Sequence, residues 1–201
     1  MASISSMYKN NKDLASFVVL NYVDKFLVFL LPLAVLYITQ DRECYNAIEY
    51  VYSIANVIAP FFVFFSSYAF YGYKLSVEKN ENGFISTYRS YNAFFIIALF
   101  VIGLGVAFLA PLLVSSLTLL LSFLILFRFV YIQTINNNNA YYRLIDKPAR
   151  FLVYTISSSI LSVALVYLFH LNQRYTLMAF FVPQIIVSII CLDVIKGVKV
   201  F

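Results

Sequence analysis

Residues 14–38 read LASFVVLNYVDKFLVFLLPLAVLYI, and the fold is decided there. A helix needs ~20 mostly apolar residues to cross ~30 Å of hydrocarbon. The uninterrupted apolar part, Phe26 to Ile38, has thirteen residues, too few to cross alone. A spanning helix in this stretch must therefore carry Asp24 and Lys25 into the membrane. Lys9 and Lys12 precede it, as in a secretory signal. The apolar run is too long for one and lacks a small-residue cleavage site, which predicts a retained first span.

Working outward, the same pattern recurs. A short loop with Asp41, Arg42 and Glu43 leads to a second apolar stretch, about 45–71. A polar loop follows over 74–89, broken most strongly at Glu78 to Gly83. The run from Tyr91 to Asn136 is too long for one helix, and Ala110-Pro111 with Ser115-Ser116 predicts a turn within it. That gives spans near 91–109 and 113–135, the latter ended by Asn136 to Asn139. A loop with Arg143, Asp146, Lys147, Pro148 and Arg150 precedes a span at about 151–171. Asn172 to Arg174 turn the chain into a last span at about 175–195. The expectation is an all-α, single-domain bundle of six transmembrane helices over residues 1–201.

Composition agrees. Hydrophobic residues make up 63% of 201 positions and charged residues 11%, with a mean hydropathy of +0.87. Soluble domains carry roughly 25% charged residues. The net charge of +5 does not point to nucleic acid, because the basic residues lie in short loops between apolar spans. Ten of them (Lys9, Lys12, Lys74, Lys79, Arg89, Arg143, Lys147, Arg150, Lys196, Lys199) fall on one side of this topology, against Arg42 and Arg174 on the other. The positive-inside rule then places both termini in the cytoplasm. Tyrosines cluster at span ends (Tyr45, Tyr68, Tyr71, Tyr73, Tyr88, Tyr91, Tyr141, Tyr142, Tyr175), as an interfacial belt does. Cys44 and Cys191 lack metal-ligand spacing and fall near opposite faces, so no disulfide is expected. No metal cluster, catalytic triad or phosphate loop is suggested, so no cofactor and no enzymatic activity are expected.

Ionisable residues at membrane depth usually face a bundle interior or a watery cavity. Asn21, Asp24 and Lys25 are spaced i, i+3, i+4 on the first span. Asp24 lies ~15 Å from Leu14 at ~1.5 Å per residue. Arg128 lies ~12 Å from Asn136 by the same rise, at a similar height. Two readings follow. In one, Asp24 and Arg128 form an internal ion pair. In the other, Lys25 and Arg128 line a cationic cavity for an anionic substrate. Glu49, Ser53, Asn56 and Pro60 make a polar stripe on the second span. Gln184, Ser188 and Cys191 follow Pro183 on the last, and Ser158 and Ser162 mark the fifth. Hydroxyls of this kind more often pack helices than bind ligands. His170 reads as an interfacial residue.

The order of these features resembles a known family. The first span with Asn21, Asp24, Lys25 and Pro32, the loop into Tyr45-Asn46 and Glu49, and the Tyr88-Arg89 and Tyr142-Arg143 pairs are similar to the N-terminal half of bacterial polysaccharide flippases. These are the O-antigen and capsule transporters of the multidrug/oligosaccharidyl-lipid/polysaccharide exporter superfamily. The resemblance implies a cytoplasmic-membrane protein that moves undecaprenyl-pyrophosphate-linked glycan between leaflets. It implies one lobe of a two-lobe exporter, which a second lobe or a second copy would complete. It also implies that Lys25 and Arg128 attract the pyrophosphate, with Asn56 and Gln184 offering hydrogen bonds. A non-transporting scaffold in a glycan-assembly complex is the alternative, and an ion- or drug-coupled exporter using Asp24 is a third.

Overall fold

The computed structural model describes residues 4–63, 81–115, 117–144, 150–170 and 172–191. Among them all regular structure is helical. The elements are α1 (Ile4–Thr39), α2 (Arg42–Ile58), the single turn α3 (Pro60–Val63), α4 (Glu81–Leu113), α5 (Leu119–Leu144), α6 (Arg150–Phe169) and α7 (Gln173–Cys191). Five segments are long and apolar enough to cross a membrane: Ala15–Thr39, Ala93–Leu113, Leu119–Asn139, Leu152–Phe169 and Gln173–Ile190. The chain is a multi-pass membrane protein with an all-α bundle fold.

The second stretch differs from expectation. α2 has 17 residues and ends at Ile58, short of the ~20 a crossing needs. Pro60 lacks an amide hydrogen, so the helix breaks there and restarts as α3. The Ala59 carbonyl accepts from the Phe62 amide at 3.1 Å and from the Gln133 side-chain amide of α5 at 2.8 Å, which ties the break to α5. The rest of the expected span, 64–71, lies outside the described residues.

Other boundaries shift for physical reasons. The expected break at 78–83 ends earlier, because α4 is already helical from Glu81 through Gly83. At its far end α4 runs through Pro111 to Leu113. Pro111 gives up only its own bond to the carbonyl four residues back, and the chain turns after Val114, whose carbonyl accepts from the Leu117 amide at 3.0 Å, at the Ser115 half of the expected turn. Thr118 caps α5, its hydroxyl accepting from the Leu121 amide at 3.3 Å. Asn136 to Asn139 do not end α5, which continues to Leu144. Asparagine breaks helices by offering the backbone other partners. Here the Asn138 amide donates along its own helix to the Thr134 carbonyl at 2.9 Å. Packing against neighbours holds that turn.

α5 is the hub, touching α2, α4 and α7, while α6 packs on α7 and α1, and α1 packs on α2. One core layer joins Leu31 and Val35 of α1, Ile48 and Tyr52 of α2, Leu124 of α5, Val166 of α6 and Phe180 and Phe181 of α7. A second joins Ala55 and Ala59 to Ile96 and Ala107 of α4 and Leu126 and Phe129 of α5. Gly103 lets α4 approach α5, since an added Cβ would overlap the Leu126 side chain. Phe94, Val101, Ile102, Val106 and Leu112 on α4 are exposed, as a lipid-facing surface requires. Ser162 donates to the Phe180 carbonyl at 2.9 Å, and Ser188 to Gln184 at 2.8 Å. The first bond joins α6 to α7, and the second returns to the backbone of α7 itself.

The α1–α2 turn is built tightly. Gln40 takes a left-handed conformation (φ 55) and returns its amide to the Leu36 carbonyl at 2.9 Å, a helix C-cap. Asp41 then caps α2, accepting from the Glu43 amide at 2.8 Å and the Cys44 amide at 3.2 Å. Asp41→Ala should lower unfolding free energy by about 1 kcal/mol, read by denaturant titration in detergent; an unchanged midpoint would mean the cap contributes nothing there.

Candidate functional site

The middle of the bundle holds a charge. Arg128 lies nine residues into the Leu119–Asn139 span, ~14 Å deep at ~1.5 Å per residue. It is only 6% exposed. An arginine at the centre of a spanning helix costs ~2.5–3.5 kcal/mol or more unless its donors are satisfied. Its Nη1 donates to the Gln184 side-chain oxygen of α7 at 2.9 Å. Its planar head lies over the Tyr52 ring of α2, 3.9 Å from the centroid, with the Tyr131 ring at 5.2 Å. The ring faces carry the negative end of the aromatic quadrupole, and a desolvated contact of this type contributes ~2 kcal/mol. The Gln184 amide nitrogen reaches the Tyr52 hydroxyl at 3.4 Å. Tyr131 in turn meets the Ser158 hydroxyl of α6 at 3.4 Å. Four helices thus converge on one guanidinium.

Pro183 shares this level of α7 and is fully buried next to Gln184. One turn earlier the Phe180 carbonyl already receives the Ser162 hydroxyl. The α6–α7 contact is therefore pinned just where Gln184 must be held at a fixed distance from α5.

Asp24 approaches from α1. It is half-buried and sits beside the Thr155 hydroxyl of α6, within electrostatic reach of Arg128. The two are not joined in a direct ion pair. Arg128 spends Nη1 on Gln184, its Nε has no partner, and the buried Asp24 Oδ1 also has none. The expected Asp24–Arg128 contact is thus replaced by a neutral amide and two aromatic rings. Gln184, marked in the sequence only by its place on the stripe after Pro183, proves to be the principal partner. Tyr52 and Tyr131 were not singled out in the sequence at all. Arg128 and Tyr131 are spaced i, i+3, a signal that could have nominated Tyr131; Tyr52 carried none.

The remaining candidates lie elsewhere. Asn21, like Asp24, is half-buried on α1, whereas Lys25 is exposed. Asn56 and Ser53 of α2 are exposed and Glu49 half-buried, so the polar stripe points out of the bundle. Its opposite face, Cys44, Ile48, Val51, Tyr52 and Ala55, is buried. The six sequence candidates therefore divide. Arg128 and Gln184 meet inside with Asp24 near them, and Lys25 and Asn56 lie on the outer surface. His170 is exposed at the end of α6. Among the described residues no group of His, Cys, Asp and Glu is placed to hold a metal ion.

The inner cluster generates a stability prediction. Gln184→Leu leaves the Arg128 head and the Tyr52 hydroxyl without their shared amide. An unsatisfied buried group costs ~1–3 kcal/mol. The melting temperature in detergent should fall by several degrees, and Gln184→Glu, which restores an acceptor, should recover most of the loss. A Gln184→Leu protein as stable as the parent would show that the aromatic rings suffice.

Comparison with protein-family models, with curated proteins and with solved structures gives no match for this chain.

Proposed function

We propose that this chain is one bundle of a transporter that moves undecaprenyl-pyrophosphate-linked oligosaccharide across the bacterial cytoplasmic membrane, with both termini cytoplasmic. The observation that carries the reading is the exposed Lys25. It stands on a spanning helix ten residues after Ala15, about 15 Å deep. A lysine sealed in an ion pair would argue for a structural role. One that opens outward from the bundle at membrane depth needs water, an anion or another protein surface around it. A pyrophosphate headgroup supplies the anion, and charge-assisted bonds to it are strong in a low-dielectric site.

In this reading the inner and outer residues have separate tasks. Arg128, Gln184 and Asp24 fix the register of α1, α5, α6 and α7 and add positive potential behind the site. Lys25 and Asn56 meet the substrate. A rigid interior of this kind suits a bundle that moves as a body against another. The enclosure of Arg128 is also what a non-transporting scaffold of a glycan-assembly complex would have, and this is the second reading.

Expression of the chain in a strain lacking its polysaccharide flippase tests the proposal. Surface glycan should return, and Lys25→Ala should reduce it at least tenfold with membrane insertion unchanged. Lys25→Arg should keep a substantial part. Glycan unaffected by Lys25→Ala, or no glycan from an inserted chain, would overturn the transport reading and favour the scaffold.

A further inference from the structure

The surface around Lys25 has a shape that identifies its partner. α1 turns Leu27, Leu30 and Ala34 toward α6, across an apolar groove. α2 turns Ile54 and Ile58 toward α4 and α5, across another. At ~100° per residue, Lys25 lies ~180° around α1 from Ala34, and Asn56 ~200° around α2 from Ile58. Each is therefore on the side of its helix away from its outer neighbour. α1 and α2 pack on each other, so Lys25 and Asn56 flank the seam the two helices share.

They also share a height. Lys25 is fourteen residues before Thr39, and Asn56 is fourteen residues after Arg42. Each is ~21 Å from the α1–α2 turn. Ser53 and Glu49 continue the polar lip toward the turn. The exposed residues of α4 and α7 at membrane depth are apolar, including Val101, Ile102, Val182 and Ile186. Away from the helix ends, where α7 exposes Gln173 and Arg174, the α1–α2 face differs among the described residues in exposing a cation and an amide together.

We propose that two copies of this chain associate through their α1–α2 faces, about a two-fold axis along the membrane normal. Such an axis sets α1 of one copy against α2 of the other at equal height. Lys25 then meets the partner's Asn56 at the same height, with Ser53 and the half-buried Glu49 carboxylate about one and two turns nearer the α1–α2 turn, and the reverse pairing forms by symmetry. Polar side chains that have no partner in lipid gain one twice over. The two Lys25 ammonium groups flank one cleft, matching the two phosphoryl groups of a pyrophosphate. On the transport reading above, the substrate site is incomplete without the second copy.

Cross-linking in native membranes tests this. Phe29 and Ser53 are exposed and lie ten and eleven residues from the turn on the two lips. Cys44 and Cys191 are first replaced by alanine. One copy then carries Phe29→Cys, and a differently tagged copy carries Ser53→Cys. Mild oxidation should give a doubly tagged disulfide dimer. Val101→Cys copies, exposed on α4 outside the groove it shares with α2, should give at least tenfold less. Lys25→Glu should lower the Phe29–Ser53 yield several-fold. No dimer from inserted protein, equal cross-linking at Val101, or an adduct with a different protein would each overturn the proposal. Cross-linking reads contact without requiring transport. A dimer that restores no glycan would sink the transport reading and leave the association standing.

Discussion

The bundle depends on how a guanidinium is accommodated in the middle of a hydrocarbon layer. Water is absent there, so Arg128 must find its partners on neighbouring helices, and those partners fix where the helices lie. One charge-assisted hydrogen bond contributes ~1.5–3 kcal/mol and a desolvated cation–π contact ~2 kcal/mol. Together they offset an insertion cost of ~2.5–3.5 kcal/mol. Remove Gln184 and the cation–π contact alone, at ~2 kcal/mol, falls short of it. The core around them is aromatic and aliphatic: Phe180 and Phe181 meet edge to face at 5.0 Å, and both contact Tyr52. Polar specificity at one level and close packing around it thus select the same arrangement of α2, α5 and α7.

The choice of an amide over a carboxylate as the arginine's partner has consequences. A buried ion pair holds two desolvated charges and is worth little net. Gln184 brings one dipole, no second charge, and a donor left over for the Tyr52 hydroxyl. The network keeps a net positive potential that a direct Asp24 contact would have cancelled. Asp24 instead lies near the edge of the cluster, one oxygen buried and unpaired, where it moderates that potential without extinguishing it.

The spans were legible because composition and length are read almost directly by the bilayer. Four of the five apolar helices begin or end within a few residues of where hydropathy and turn residues place them. The misjudged ends have separate causes. Asparagine breaks helices by offering the backbone another partner, but Asn138 spends its amide on its own helix. Pro111 lies in the last turn of α4, where one lost amide bond ends little of the helix, and Gly83 lies in its first turn. The second stretch failed in the opposite sense, because Pro60 breaks a helix already marked by Glu49, Ser53 and Asn56. Arg128 and Gln184 were legible as polar residues in apolar spans. Their meeting was not, since it depends on the rotation of α5 and α7 about their axes. That rotation is set by packing that no single helix encodes.

α1 and α2 break the pattern of the last two helices. On α6 and α7 most polar residues at depth point inward and bond to backbone carbonyls; Thr155, Ser158, Ser162 and Ser188 all do so, and Ser157 is the exposed exception. On α1 and α2 the interior side is apolar at Leu31, Val35, Ile48 and Val51, and Lys25, Ser53 and Asn56 point out. A sequence indifferent to this face would carry leucine there, as α4 does at Leu109 and Leu112. Lipid gives such groups no hydrogen bonds, and the cost of leaving them there is paid by every copy of the protein. Lys25 is thus an outward cation on a spanning helix, with Ser53 and Asn56 beside it on the shorter α2. The tight Gln40–Asp41 turn holds α1 and α2 in one register, so Lys25 and Asn56 stand at matched depth on either side of their seam.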